Sequence, residues 1–116
     1  MCHVLIIEDE PLVAMMIEDV LMEAGATSAT IVATQAEAID AAGRRIPAFI
    51  ASDVMLLEGT GPAAVGAIKA THGAIPTLYI TATPGACTPC VPPDRVLVKP
   101  FSAAHVVTAF RDLTGR

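Results

Sequence analysis

Residues 3–10, HVLIIEDE, decide how this chain is read: an unbroken apolar run, Val4-Leu5-Ile6-Ile7, stops abruptly at three acids, Glu8-Asp9-Glu10. A continuous run, rather than an alternating one, suits a strand covered on both faces, as in a parallel sheet. Four more such runs follow, ATIVA (29–33), AFIAS (48–52), TLYIT (77–81) and RVLVK (95–99). Helical patterns lie between them. Leu12, Val13, Met16, Ile17, Val20 and Leu21 recur at helical spacing before Gly25. Thr34 and Glu37 form a capping box, Gly61-Pro62 opens a third helix that runs to Gly73, and Ser102 caps a last one carrying Val106, Val107, Phe110 and Leu113.

Strands alternating with helices predict a doubly wound, five-stranded parallel sheet of the flavodoxin-like type, (βα)5, with right-handed crossovers. The fourth connection breaks the pattern. Pro84, Pro89, Pro92 and Pro93 leave no room for a full helix after TLYIT, so the fourth helix is expected to be reduced or missing.

The 116 residues suffice for one domain, 1–116, with one sizeable core. At 53% hydrophobic but 3% aromatic, that core is aliphatic, and Met15, Met16 and Met22 are expected to fill it. No apolar run reaches membrane-spanning length and no secretory signal is visible, so neither a membrane nor export is expected. Three cysteines are too few for a disulfide scaffold, which makes the cytoplasm the expected compartment. A net charge of −5, with seven Lys and Arg scattered along the chain, argues against nucleic acid as a partner.

Sites in open parallel sheets form beyond the carboxyl ends of the strands. The residues expected there are Glu8, Asp9 and Glu10 after the first strand, Asp53 after the third, Thr81 after the fourth and Lys99-Pro100 after the fifth. Carboxylates gathered at one rim repel one another unless a cation neutralises them. Oxygen donors suit Mg²⁺, which keeps waters and accepts carboxylate and phosphate oxygens. A hydroxyl and an ammonium at the same rim could hold a phosphoryl group.

In this order of residues the chain resembles the receiver domains of two-component response regulators, over nearly its whole length. Glu8-Asp9, Asp53, Thr81 and Lys99-Pro100 match that family's motif in sequence, and DVMLLEGTG (53–61) resembles its loop after the phosphoacceptor. The resemblance implies that Asp53 takes a phosphoryl group from a histidine kinase or a histidine phosphotransfer protein. It implies Mg²⁺ held by Glu8, Asp9, Asp53 and the backbone carbonyl of Met55. It further implies that Thr81 binds the phosphoryl oxygen, that Lys99 pairs with its charge, and that the Lys99-Pro100 bond is cis. Such a domain is not an enzyme beyond its own phosphoryl transfer and autodephosphorylation. Its output is protein–protein interaction, with a downstream protein the sequence does not name, or onward phosphorelay.

Three features depart from the family pattern. Val96 replaces an aromatic residue, Leu57 stands where proline is common, and the segment from Thr81 to Lys99 is short and proline-rich. With no ring at Val96, the loop 82–94 is itself expected to act as the switch.

Other chemistries share parts of this pattern. Cys87-Thr-Pro-Cys90 has the spacing of a redox dithiol or half a zinc site, with Cys2 and His3 as further ligands. A strand of five residues rises roughly 16 Å, so those pairs belong at opposite ends of the sheet. His72 and His105 read as surface residues, and Glu10 as an exposed bystander. An aspartyl-nucleophile phosphohydrolase would share Asp53, Thr81 and Lys99 but usually has a second Asp where this chain has Met55. A flavodoxin-like cofactor binder would need a phosphate loop where this chain has EDEP (8–11).

Overall fold

The computed structural model describes residues 2–82 and 94–115. In chain order these form β1 (His3–Ile7), α1 (Pro11–Ala24), β2 (Ser28–Val32), α2 (Gln35–Arg44), β3 (Phe49–Ser52), α3 (Gly61–His72), β4 (Thr77–Thr81), β5 (Arg95–Val98) and α4 (Ala103–Thr114). The expected fourth connection, with its prolines, Cys87 and Cys90, lies outside the described residues, apart from its ends at Ala82 and Asp94.

All strand pairs are parallel and the order is β2-β1-β3-β4-β5. The chain winds outward from β1 to β2, then crosses back to β3 and continues to β5. The reversal places a crevice at the carboxyl ends of β1 and β3, where ligands bind in such sheets.

Each central strand feeds two cores. Val4 and Ile6 of β1 face α1 and α4 with Ile17, Leu21, Val106 and Phe110, whereas Leu5 and Ile7 face α2 and α3 with Ala38, Ala42, Val65 and Ile68. Phe49 meets Phe110 edge to face, ring centroids 4.9 Å apart. Burial on both faces holds for β1, β3 and β4 but fails for β2 and β5. These are the two edges of the sheet, and Val96 and Val98 of β5 are exposed.

The helix starts follow their sequence signals. Thr34 Oγ1 accepts from the Glu37 N–H, and Glu37 Oε1 accepts in return from the Ala33 N–H. Thr60 caps α3 through the Ala63 N–H, with Pro62 in the first turn, and Ser102 caps α4 through the His105 N–H. Gly25 closes α1 at φ 125°, a conformation favouring glycine.

The buried stripe of α1 is narrower than its periodicity predicts. Only Ala14, Ile17 and Leu21 are fully buried, while Leu12 is 76% exposed and Met15, Met16 and Met22 face solvent rather than filling the core. The apolar arc on α1 is wider than the sheet can cover. Among the described residues no helix is long and apolar enough to cross a membrane.

Candidate phosphoacceptor site

Parallel register assembles the site. Ile7 pairs with Ser52, so the residues after β1 and β3 emerge side by side. The Asp53 N–H donates to the Ile7 carbonyl at 2.8 Å, and the Glu8 N–H to the Val32 carbonyl at 2.9 Å. On the other side Thr81 pairs with Val98, and the Lys99 N–H donates to the Thr81 carbonyl at 2.9 Å. Four strand ends thus deliver an acid pair, an acid, a hydroxyl and a lysine to one rim.

The lysine bridges the acids. Lys99 Nζ lies 2.9 Å from Glu8 Oε1 and 3.0 Å from Asp53 Oδ2. Glu8 Oε2 accepts the Glu10 N–H at 3.1 Å, and Asp53 Oδ1 the Val54 N–H at 2.7 Å, so each oxygen of the two carboxylates has a donor. The side chain of Glu8 is 1% exposed and that of Asp53 11%. Burial pushes the Glu8 carboxyl above its ordinary value, bonds from Lys99 and the Glu10 N–H pull it back, and the Asp53 charge adds to the rise. Burial alone would lower the Lys99 ammonium, but its bonds to Glu8 and Asp53 outweigh that and hold it above the ordinary value.

Asp9 is half-buried beside this pair. Glu8, Asp9 and Asp53 each offer a carboxylate oxygen within 4.8 Å of the others, the one such metal-ligating group among the described residues. Thr81 is buried at the end of β4. Met55 begins the loop beyond Asp53, its side chain exposed, and pairs with Thr60 in an antiparallel bridge that folds the loop back on itself. The Lys99-Pro100 bond is cis, as expected.

Some contributors were not legible beforehand. Glu10 is exposed, as expected, yet its N–H holds Glu8. Gly61, read as a helix opener, lies so close to the Asp53 carbonyl oxygen and the Ser52 hydroxyl that a Cβ there would overlap both. Its own N–H donates to the Val54 carbonyl at 2.8 Å. A glycine is needed here for close approach of backbones.

Of the candidate zinc ligands, Cys2 and His3 lie at the start of β1, while Cys87 and Cys90 fall outside the described residues. The His3 ring is engaged with the Ser28 and Thr30 hydroxyls at 2.8 and 3.2 Å, and buried Cys2 is tied through its backbone to Thr27, away from the acidic rim. His105 is exposed and His72 half-buried.

A doubly wound sheet with an acidic cluster and a lysine at the carboxyl ends of its strands is an architecture that receiver domains share. The sequence pattern of the response regulator receiver domain matches residues 4–111, and the chain belongs to that family. It is 34% identical over 108 residues to the phyllosphere-induced regulator PhyR of Methylorubrum extorquens, covering 90% of this chain and 40% of that protein. The chain therefore spans less than half the length of this relative. The receiver domain of PhyR from Erythrobacter litoralis superposes with a TM-score of 0.86 at 30% identity, covering 97% of this chain and 88% of that one. The receiver domain of a Pseudomonas aeruginosa sensor histidine kinase, solved with a magnesium ion coordinated in its active-site cleft, gives 0.86 at 26% identity, covering 99% and 98%. This is a receiver domain of the two-component signalling type.

Proposed function

We propose that Asp53 is the phosphoacceptor and that the domain is charged by a histidine kinase or histidine phosphotransfer protein. The observation that carries this reading is the Lys99 ammonium bridging Asp53 and Glu8 with Asp9 alongside. An Asp53 carboxylate oxygen attacks phosphorus, the P–N bond to the donor imidazole breaks with its electron pair going to nitrogen, and the imidazole leaves neutral because its other ring nitrogen already carries a proton, giving an acyl phosphate. Lys99 then exchanges a carboxylate partner for a phosphoryl oxygen, and the Thr81 hydroxyl donates to another.

Glu8, Asp9 and Asp53 bring three carboxylates within reach of one another, and oxygen donors are the chemistry Mg²⁺ selects. Glu8, Asp9, Asp53 and the Met55 carbonyl would hold the ion. Bound there, it would neutralise charge on the phosphoryl oxygens. Family membership favours this reading over the phosphohydrolase and cofactor-binding alternatives.

Leu12, Met15 and Met16 on α1 and Leu57 beyond Asp53 expose apolar surface, and Met16 shares a shallow groove with Lys99 and Phe101. Apolar surface beside a charged site fits docking of a protein donor. Output is a change in binding of a downstream protein or onward transfer of the phosphoryl group.

Incubation with acetyl phosphate or phosphoramidate and Mg²⁺, followed by intact-mass measurement, tests the proposal. Wild type should gain one phosphoryl group, Asp53→Asn none, and excess chelator should prevent the gain. Labelling of Asp53→Asn at the wild-type level would sink the assignment.

A further inference from the structure

The loop between β3 and α3 carries the Met55 carbonyl, and its tip is fastened from outside the acidic rim. The Gln35 N–H, in the first turn of α2, donates to the Glu58 carbonyl at 3.1 Å. Gln35 Oε1 accepts the Thr60 N–H at 3.2 Å. Between these two points Gly59 adopts φ +80°, and its Cα lies against the Gln35 side chain so closely that a Cβ would overlap it. Thr60 is also the bridge partner of Met55, so a hold on Thr60 is a hold on Met55.

The glutamine is itself well anchored. It follows Thr34, whose capping box fixes the start of α2. α2 packs against α3, the helix that the loop leads into. One side chain therefore spans two rigid helices through the turn that connects β3 to α3.

We infer that Gln35 is a positioning residue for the cation site: it fixes the Met55–Thr60 turn so that the Met55 carbonyl faces the Asp53 and Asp9 carboxylates. This rests on the Mg²⁺ reading above. Without the acceptor at position 35, the Thr60 N–H loses its partner and the turn must pay in entropy to present the carbonyl. Cation affinity should fall while the fold, built on the strands and helices, persists.

The test is a Mg²⁺ titration of the uncharged protein, followed by amide NMR shifts, on wild type, Gln35→Met and Gln35→Glu. Methionine keeps the length and apolar stem but removes the acceptor, whereas glutamate keeps an acceptor oxygen. Gln35→Met should bind Mg²⁺ about five-fold more weakly, the weight of one neutral hydrogen bond, with Gln35→Glu at or near wild type. Amide exchange at Thr60 should quicken in Gln35→Met only, a change that global destabilisation would spread over all amides. Equal affinity in Gln35→Met and wild type would overturn the role of Gln35 alone, as would equal weakening in both variants. A wild type showing no Mg²⁺-dependent shift would overturn the metal reading and this inference together.

Discussion

Removing the lysine that bridges the two carboxylates should be the most costly polar change in the domain. Lys99 Nζ stands 2.9 Å and 3.0 Å from its two partners. At an effective dielectric of about 20, each contact carries roughly 6 kcal/mol of gross attraction. Most of that is cancelled by the desolvation of three charged groups. What remains visible on deletion is the cost of leaving buried carboxylates without a counter-ion, about 3–5 kcal/mol. Because Lys99 is 18% exposed and water can reach the rim, the lower end applies. For 116 residues, with an unfolding entropy of about 2.1 cal/mol/K each, Lys99→Met should melt roughly 10 °C below wild type in chelator at neutral pH. The assay is thermal unfolding followed by circular dichroism, repeated with Glu8→Gln added. Neutralising Glu8, the more deeply buried acid, should recover at least half of the loss. The reasoning fails if Lys99→Met melts with wild type, or if Glu8→Gln recovers nothing.

Three further outcomes are expected. Gly61→Ala forces a Cβ into the Asp53 carbonyl and the Ser52 hydroxyl and should cost roughly 1–3 kcal/mol, with slower labelling by acetyl phosphate; a wild-type melting point would refute the close approach. Leu12→Glu combined with Met16→Glu should slow transfer from a phosphohistidine protein but not from acetyl phosphate, and equal slowing of both would remove α1 from docking. The His3 imidazole is held below its ordinary value of 6.5, first by burial and then by the Arg45 charge. The native state therefore binds fewer protons than the unfolded chain below that value, and stability should fall as the pH drops from about 7 to 5; His3→Gln should flatten that slope, and an unchanged slope would exclude His3 as its source.

The order of elements was legible because each strand is a dense aliphatic run and three of the helices open on a recognisable signal, the Thr34 capping box, Pro62 and Ser102. Thr34, Thr60 and Ser102 all act at helix N-termini. The expectation of two-sided burial failed at RVLV because hydropathy reports that a strand is apolar but not whether it lies at an edge. Periodicity misled on α1 for a related reason. Leu12 and Met16 extend the stripe beyond the arc that touches the sheet, while the buried Ala14 drew no attention as a small residue. Residue types at the site could be read from strand ends, since any parallel sheet collects them on one rim. The sharing of Lys99 between Glu8 and Asp53 could not, because it depends on the register of β4 with β5. Gln35 carried no signal at all, being 25 residues from its partner Thr60.

The bridging lysine also bears on how the chain matures. Lys99 is 91 residues from Glu8 and 46 from Asp53, and it arrives on the last strand. During synthesis β1 and β3 can pair well before β5 has left the ribosome. Until then Glu8 and Asp53 face each other with no ammonium between them, and repulsion opposes the closing of the rim. Closing the acidic rim therefore depends on the last of the five strands to be made, because only Lys99 sets a positive charge between Glu8 and Asp53.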